Sequence, residues 1–513
     1  MVIKSSNPEI RPLGRQYPDE VVSGPTPWAV EANIRPLNGE LFKYLPKEPK
    51  DQVDNHVSNS ADHVPSTAGQ TLVDLVALPD QSPGNQTTMR EQNVSDPIAI
   101  IIMDEVTKKP TFWPESCIYK VPGRLCKGYE DFYTPRVVSI GPYHYCNGGS
   151  LEGMQAYKFR YLEAFFSRTN LNLDHCLGVV RELEGKARSY YVEPVKLNSD
   201  EFVLMLLVDG TFLLELMLRH CNAEFVDDCD RIYGKTREIQ DVYRDLLLIE
   251  NQIPFFVLEA LYKELDRTHR RLHLHLPLVE LTRGFFMKYL GKFDEFLHYP
   301  IDSEVQHFVD FIRWYYLPKC ESKSDSKSDN GIIVDVPSVT AMDEAGVKFE
   351  EGTKLNALLD MEFTYGSLQI RHFVVDDWTE TLFRNLIAFE QCHDHKVKYI
   401  TQFMFLMGCM IRTPKDADLL VNREIISSRL GNSEDISTIF NNICKGVSLG
   451  SPFYYFTLCN NLKAYCRRPW HRWKATLKRD YFNTPWKLVS TIAAFVLLVL
   501  TVIQTVCSII SLS

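Results

Sequence analysis

The sequence has no apolar stretch of signal-peptide length after Lys4 in its opening residues, Met1 to Arg11, so export by a cleaved leader is not expected. A positive excess is missing as well. With 66 acidic against 56 basic side chains, the net charge is −10, which argues against general nucleic-acid binding, because neutralising phosphates needs a basic surface. The 13 cysteines lack tight periodic spacing and are odd in number. That pattern suits reduced, buried thiols in a cytosolic compartment rather than a disulfide framework. Without a leader, the sequons Asn85-Gln-Thr and Asn93-Val-Ser are expected to stay unmodified. Residues 1–96 have few clustered apolar side chains and are rich in Pro, Asn, Ser, Asp and Gln. They cannot bury enough surface to offset the entropy of ordering, and read as a disordered N-terminal arm.

What is present begins with size. A chain of 513 residues, 45% apolar and 24% charged, has the composition of a soluble globular protein and enough length for a sizeable core. Its hydrophobic excess is concentrated at one place. Leu488 to Leu512 runs 25 residues without a charge. As a helix it would extend about 37 Å, against a hydrocarbon core of about 30 Å. Fifteen of these residues are Leu, Ile, Val or Phe, favouring insertion by at most about 5–9 kcal/mol.

The flank, residues 463–487, sets the orientation. Lys463, Arg467, Arg468, Arg472, Lys474, Lys478, Arg479 and Lys487 precede the span against one acid, Asp480. The positive-inside rule then keeps the N-terminal body cytosolic and makes the chain a single-pass tail-anchored protein of the plasma membrane or an endomembrane. Trp470, Trp473 and Trp486 interleave with these cations, as expected of an interface segment drawn to anionic lipid.

The body, residues 97–462, reads as mainly α. Ser150 is a candidate N-cap for a helix carrying Met154, Tyr157, Tyr161, Leu162, Phe165 and Phe166 on one face. Phe202 to Leu218 is almost wholly apolar but contains Asp209 and Glu215, which predicts a buried central helix rather than a second span, with a partner for Asp209. Gly431 can close one helix, and Asn432 or Ser433 can cap the next, whose Ile436, Ile439, Phe440 and Ile443 keep helical spacing. The minor β element is a hairpin within Ala357–Val375 around Tyr365-Gly366-Ser367, with a further short strand at Ile332–Val336. Ser322 to Asp329 reads as a solvated linker, Ile98 to Met103 as an apolar run that docks on the body, and the prolines at 114, 122 and 135 mark an irregular, clamped segment.

Several ordered blocks resemble the plant family catalogued as domain of unknown function 247. They are Ile118-Tyr-Lys-Val-Pro122, Tyr133-Thr-Pro-Arg-Val-Val-Ser-Ile-Gly-Pro-Tyr-His144, Lys158 to Leu162, Asp209-Gly210, Asp245 to Leu258 with Glu250-Asn-Gln-Ile-Pro254, Glu344 to Phe349, Asn385 to Gln391, and Tyr481 to Trp486. The resemblance implies a single-pass plant membrane protein without an assigned reaction; some grass members are associated with self-incompatibility. Physically the blocks read as architecture. Pro254 suits a helix start, Gly141-Pro142 a rigid turn, and Gly346 a bend before a strand. A buried Asn or Glu at such junctions ties down backbone groups.

Chemistry is sparse. Gly446-Val-Ser-Leu-Gly450 matches the hydrolase elbow, but a helix rather than a strand precedes it. His269, His273 and His275 read as part of a basic face, and Cys392-His393-Asp394-His395 as a polar helix end, since zinc sites take ligands from separated hooks. The expectation is a non-enzymatic interaction or recognition protein that needs no cofactor or metal, contacting lipid and unidentified proteins but not nucleic acid. The alternative is an enzyme of unfamiliar type with a pocket near Asp209 or Glu250.

Overall fold

The computed structural model describes residues 98, 115–145, 151–234, 238–268, 276–290, 305–318, 335–353, 355, 357–468 and 485–511. The chain divides into two units, Met1–Glu91 and Gln92–Ser513, and every described residue belongs to the second. The expected N-terminal arm, residues 1–96, His269, His273, His275 and Ser322–Asp329 lie outside the described residues.

The first half is a helical cluster built around one helix. In chain order it contains α1 (Glu152–Thr169), α2 (Leu173–Ser189), α3 (Ser199–Cys221), α4 (Ile239–Asp245), α5 (Phe255–Thr268), α6 (Leu278–Leu290) and α7 (Phe308–Tyr316). A reciprocal capping box starts α3: the Asn198 side chain accepts from the Glu201 amide, and the Glu201 carboxylate accepts from the Asn198 amide. Such a cap contributes about 1 kcal/mol. Apart from Leu204, α3 is buried from Phe202 to Arg219, with α1, α2, α5 and α6 around it. Each fully buried Leu or Phe there stabilises by about 1.5–3 kcal/mol. Gly210 lets α5 come close, since a Cβ at that position would meet Leu261 Cδ1 at 2.7 Å.

The second half mixes short strands with helices: α8 (Val339–Glu344), β1 (Lys348–Glu351), β2 (Met361–Thr364), β3 (Ser367–Ile370), β4 (Phe373–Val375), α9 (Thr379–Cys392), α10 (Tyr399–Met410), α11 (Pro414–Asn422), β5 (Ile426–Ser428), α12 (Ser433–Asn442) and α13 (Phe456–Cys466). One sheet has the order β1-β3-β2, with β1 parallel and β2 antiparallel to β3; β4 and β5 form a separate parallel pair. The β2–β3 turn holds Tyr365 at φ 50° and Gly366 at φ 83°. Two left-handed residues in succession match the right-handed twist of a hairpin. The two halves meet where α7 packs against α9. Last comes α14 (Pro485–Ile510), in which Val489–Ile510 is long and apolar enough to cross a membrane.

Most sequence expectations hold. The protein is mainly helical, α3 is a buried core helix, the hairpin forms at Tyr365-Gly366, Gly346 (φ 87°) bends the chain into β1, and Asn432 caps α12 by accepting from the Asp435 amide. Some require correction. Gly431 closes no helix, because α11 ends at Asn422 and β5 intervenes. No strand includes Asp335 or Val336; the rest of Ile332–Val336 lies outside the described residues. Helix α1 starts at Glu152 with Leu151 in the cap position, while Ser150 is not described. Of the run Ile98–Met103, Ile98 is two-thirds exposed and the rest lies outside the described residues.

Candidate functional site at a buried polar junction

The stretch Thr134–Gly141 enters the core without regular structure, and no described strand pairs with it. Its buried backbone groups must still find partners, because each one left unsatisfied costs about 1–3 kcal/mol. Side chains supply them. Asp245, at the end of α4, accepts from the amides of Arg136 (2.9 Å), Val137 (2.7 Å) and Val138 (3.0 Å). Arg244 Nη1 donates to its other oxygen at 2.8 Å and Arg244 also donates to the carbonyls of Thr134 and Asp131. Asn251 accepts from the Ile140 amide at 2.7 Å and donates to the Val138 and Asp245 carbonyls. Asp209 accepts from the Gly141 amide at 2.8 Å and from Lys158 Nζ at 2.6 Å; Lys158 also donates to the Ser139 carbonyl. Burial pushes the carboxyls of Asp209 and Asp245 up, against the donors that hold their anions. Gly141 has φ 77°, and a Cβ there would lie 2.2 Å from the Gln252 carbonyl oxygen, so only glycine fits.

The same device recurs around this stretch. Gln252 donates to the Leu246 and Leu248 carbonyls and accepts from the Phe308 amide, tying the α4–α5 turn to α7. Asn385 on α9 accepts from the Ile249 amide and donates to the Phe132 carbonyl. Glu390 accepts from Arg313 Nε at 3.1 Å and from the Thr401 amide and hydroxyl. Glu250 accepts from the Val121 amide at 2.7 Å, and its second oxygen is 3.4 Å from His144 Nε2.

Both carboxylates proposed to line a pocket are therefore engaged with backbone, Asp209 at full burial. Sequence reasoning expected a partner for Asp209 but did not name Lys158, and it missed the roles of Asp245, Asn385 and Glu390. The signal was present in one case: Lys158 interrupts the apolar face of α1 between Met154 and Leu162. Ser448 sits in coil after α12, exchanging two backbone hydrogen bonds with the Gln391 side chain.

The residues Cys392 to Asp394 close α9. His393 Nδ1 pairs with the Tyr119 hydroxyl at 2.8 Å and its ring stacks on Phe389, against which His395 packs edge-on. Among the described residues, no three His, Cys, Asp or Glu side chains are placed to hold a metal ion. Of the membrane-interface residues, Arg467 and Arg468 are exposed just after α13, and Trp486 and Lys487 lie in the first turn of α14. Trp470, Arg472, Trp473, Lys474, Lys478 and Arg479 are outside the described residues.

Close to His393 and His395, His307 is wholly buried, its Nδ1 accepting from the Asp310 amide and its Nε2 donating to the Cys117 carbonyl. Burial lowers its pKa to about 3. The stability this contributes is fully present above the unfolded value near 6.5 and is lost as pH falls from there towards 3. Burial raises neighbouring Asp310 to about 6, which acts in the opposite direction, so the comparison must isolate His307. Between pH 7 and 5 the wild type should lose about 2 kcal/mol more unfolding free energy than His307→Gln. Equal losses in denaturant titrations at the two pH values would contradict this.

Residues 118–500 match the family described as "Plant protein of unknown function", about three quarters of the chain. The chain belongs to this family. It is 28% identical over 437 residues to the UPF0481 protein At3g47200 of Arabidopsis thaliana, covering 79% of this chain and 90% of that one. The putative UPF0481 protein At3g02645 of the same plant is 22% identical over 476 residues, covering 75% and 89%. No solved structure matches. The buried junction falls inside the matched region: Asp209, Asp245, Asn251 and Gly141 lie within blocks by which the sequence resembles the family.

Proposed function

We propose that the chain is a membrane-tethered recognition component that binds other proteins from a cytosolic body and carries out no reaction of its own. The observation that carries this reading is the engagement of Asp209 and Glu250: acceptors that an active site would direct at a substrate are directed at backbone amides instead. Tethering is supported by Val489–Ile510, whose apolar side chains are exposed, Phe495, Leu497 and Ile503 each by more than half, and so lack a protein core to bury them. The basic flank supports a cytosolic body.

Two measurements on the full chain in plant tissue test the proposal together. Protease added to intact microsomes should digest the body, with Asn85 and Asn93 unglycosylated. Proximity labelling from the N-terminus should return a reproducible set of proteins that a control carrying only residues 463–513 does not. A protected body, or the same labelling from both baits, would overturn it.

A further inference from the structure

Tyr365 is anomalous in two independent ways. It is fully exposed at the tip of the β2–β3 hairpin. It also holds φ 50° at a turn position where Gly, Asn or Asp is favoured and an aromatic side chain is rare. Folding gains nothing from an aromatic ring placed there, since the ring is not in the core and the backbone geometry favours another residue.

The tip is fixed to the end of α13. The rings of Phe363 and Tyr465 meet edge-to-face at 5.4 Å, and a Cβ on Gly366 would lie 2.6 Å from Tyr465 Oη. Exposed Arg467 and Arg468 follow Tyr465 by two and three residues and are the last described residues before α14. Exposed Lys348 lies at the same end of the sheet, opposite Ser367, its amide bonded to the Gly366 carbonyl at 2.9 Å. The acids of this sheet, Glu350, Glu351 and Glu362, pair further along the strands, about 7 Å or more from the tip end. Lys463 is taken by Asp335 at 2.6 Å, close to Arg467.

We infer that this corner is a second membrane contact, in which Tyr365 enters the headgroup layer of an anionic bilayer while Lys348, Arg467 and Arg468 face lipid phosphates. The inference rests on the reading that α14 crosses that bilayer. An amphipathic ring with cations beside it is the combination that headgroup interfaces select. Continuity of the chain, from Arg468 into the span through sixteen residues, commits the corner to the bilayer rather than to a protein.

The test uses the full chain reconstituted into liposomes of phosphatidylcholine alone or with about a third phosphatidylserine, read by hydrogen exchange of peptides covering 361–370 and 489–510. The expected result is exchange at 361–370 slowed several-fold by the anionic lipid. Tyr365→Asn should keep or raise the melting temperature, because asparagine suits the turn, and should lose that protection. Arg467→Gln with Arg468→Gln should abolish the dependence on anionic lipid. Protection at 489–510 with equal exchange at 361–370 in both lipids would overturn the inference alone. Free exchange at 489–510 would overturn both it and the membrane reading beneath it.

Discussion

Asp245→Ala should destabilise the body by about 4 kcal/mol or more, lowering the melting temperature of the detergent-solubilised chain by roughly 5 °C. One carboxylate accepts from three consecutive amides, Arg136 to Val138, and is the counter-ion of Arg244, which is itself almost fully buried. Alanine leaves the buried Val138 amide and the two more accessible amides before it without their acceptor and a buried guanidinium unpaired; the unpaired charge alone costs more than a typical core methyl. Against a total stability of about 5–15 kcal/mol, that is a large part of the whole. Asp245→Asn should cost less than Asp245→Ala, because its one oxygen still accepts from the amides, although Arg244 loses its counter-ion. A melting curve for Asp245→Ala within about 2 °C of wild type would show that the stretch is held by something else.

Lys158→Met is expected to cost about 3–5 kcal/mol, since it strands the Asp209 carboxylate at full burial with only the Gly141 amide for company. Adding Asp209→Asn should restore much of the loss. The buried charge is then gone while an oxygen remains to accept from Gly141, so the double variant should be more stable than Lys158→Met alone. In a double-mutant cycle the two positions should couple by about 2 kcal/mol or more. Additive effects, or a double variant worse than either single change, would mean that the pair is not the unit the geometry describes.

How much of this could be read beforehand depended on whether the cause was local. Helix α14, long and apolar enough to cross a membrane, follows from an uninterrupted apolar run, and the cap at Asn432 from a side chain three residues before the amide it binds. The Tyr365-Gly366 hairpin is equally local. The parallel pair β4–β5 was not legible, because three residues of alternation give almost no periodic signal and the partners are some fifty residues apart. Gly431 misled for the same reason, as the short strand before it left no pattern to break a helical reading. At the junction, residue types pointed to buried polar groups tying down backbone, which is what Asp209, Glu250 and Asn251 do. Which amide each one serves was hidden, since Asp245 and Val138 are 107 positions apart and only the fold brings them together.

Amide hydrogen exchange at Arg136, Val137, Val138, Ile140 and Gly141 tests most directly whether the buried junction is a scaffold. If Asp245, Asn251 and Asp209 hold these amides as the geometry has it, the buried ones, Val138, Ile140 and Gly141, should exchange as slowly as the amides of α3, through global unfolding alone. In Asp245→Ala, protection at 136–138 should collapse first. Exchange of the wild-type stretch within seconds, as for a solvent-exposed loop, would contradict the scaffold reading outright.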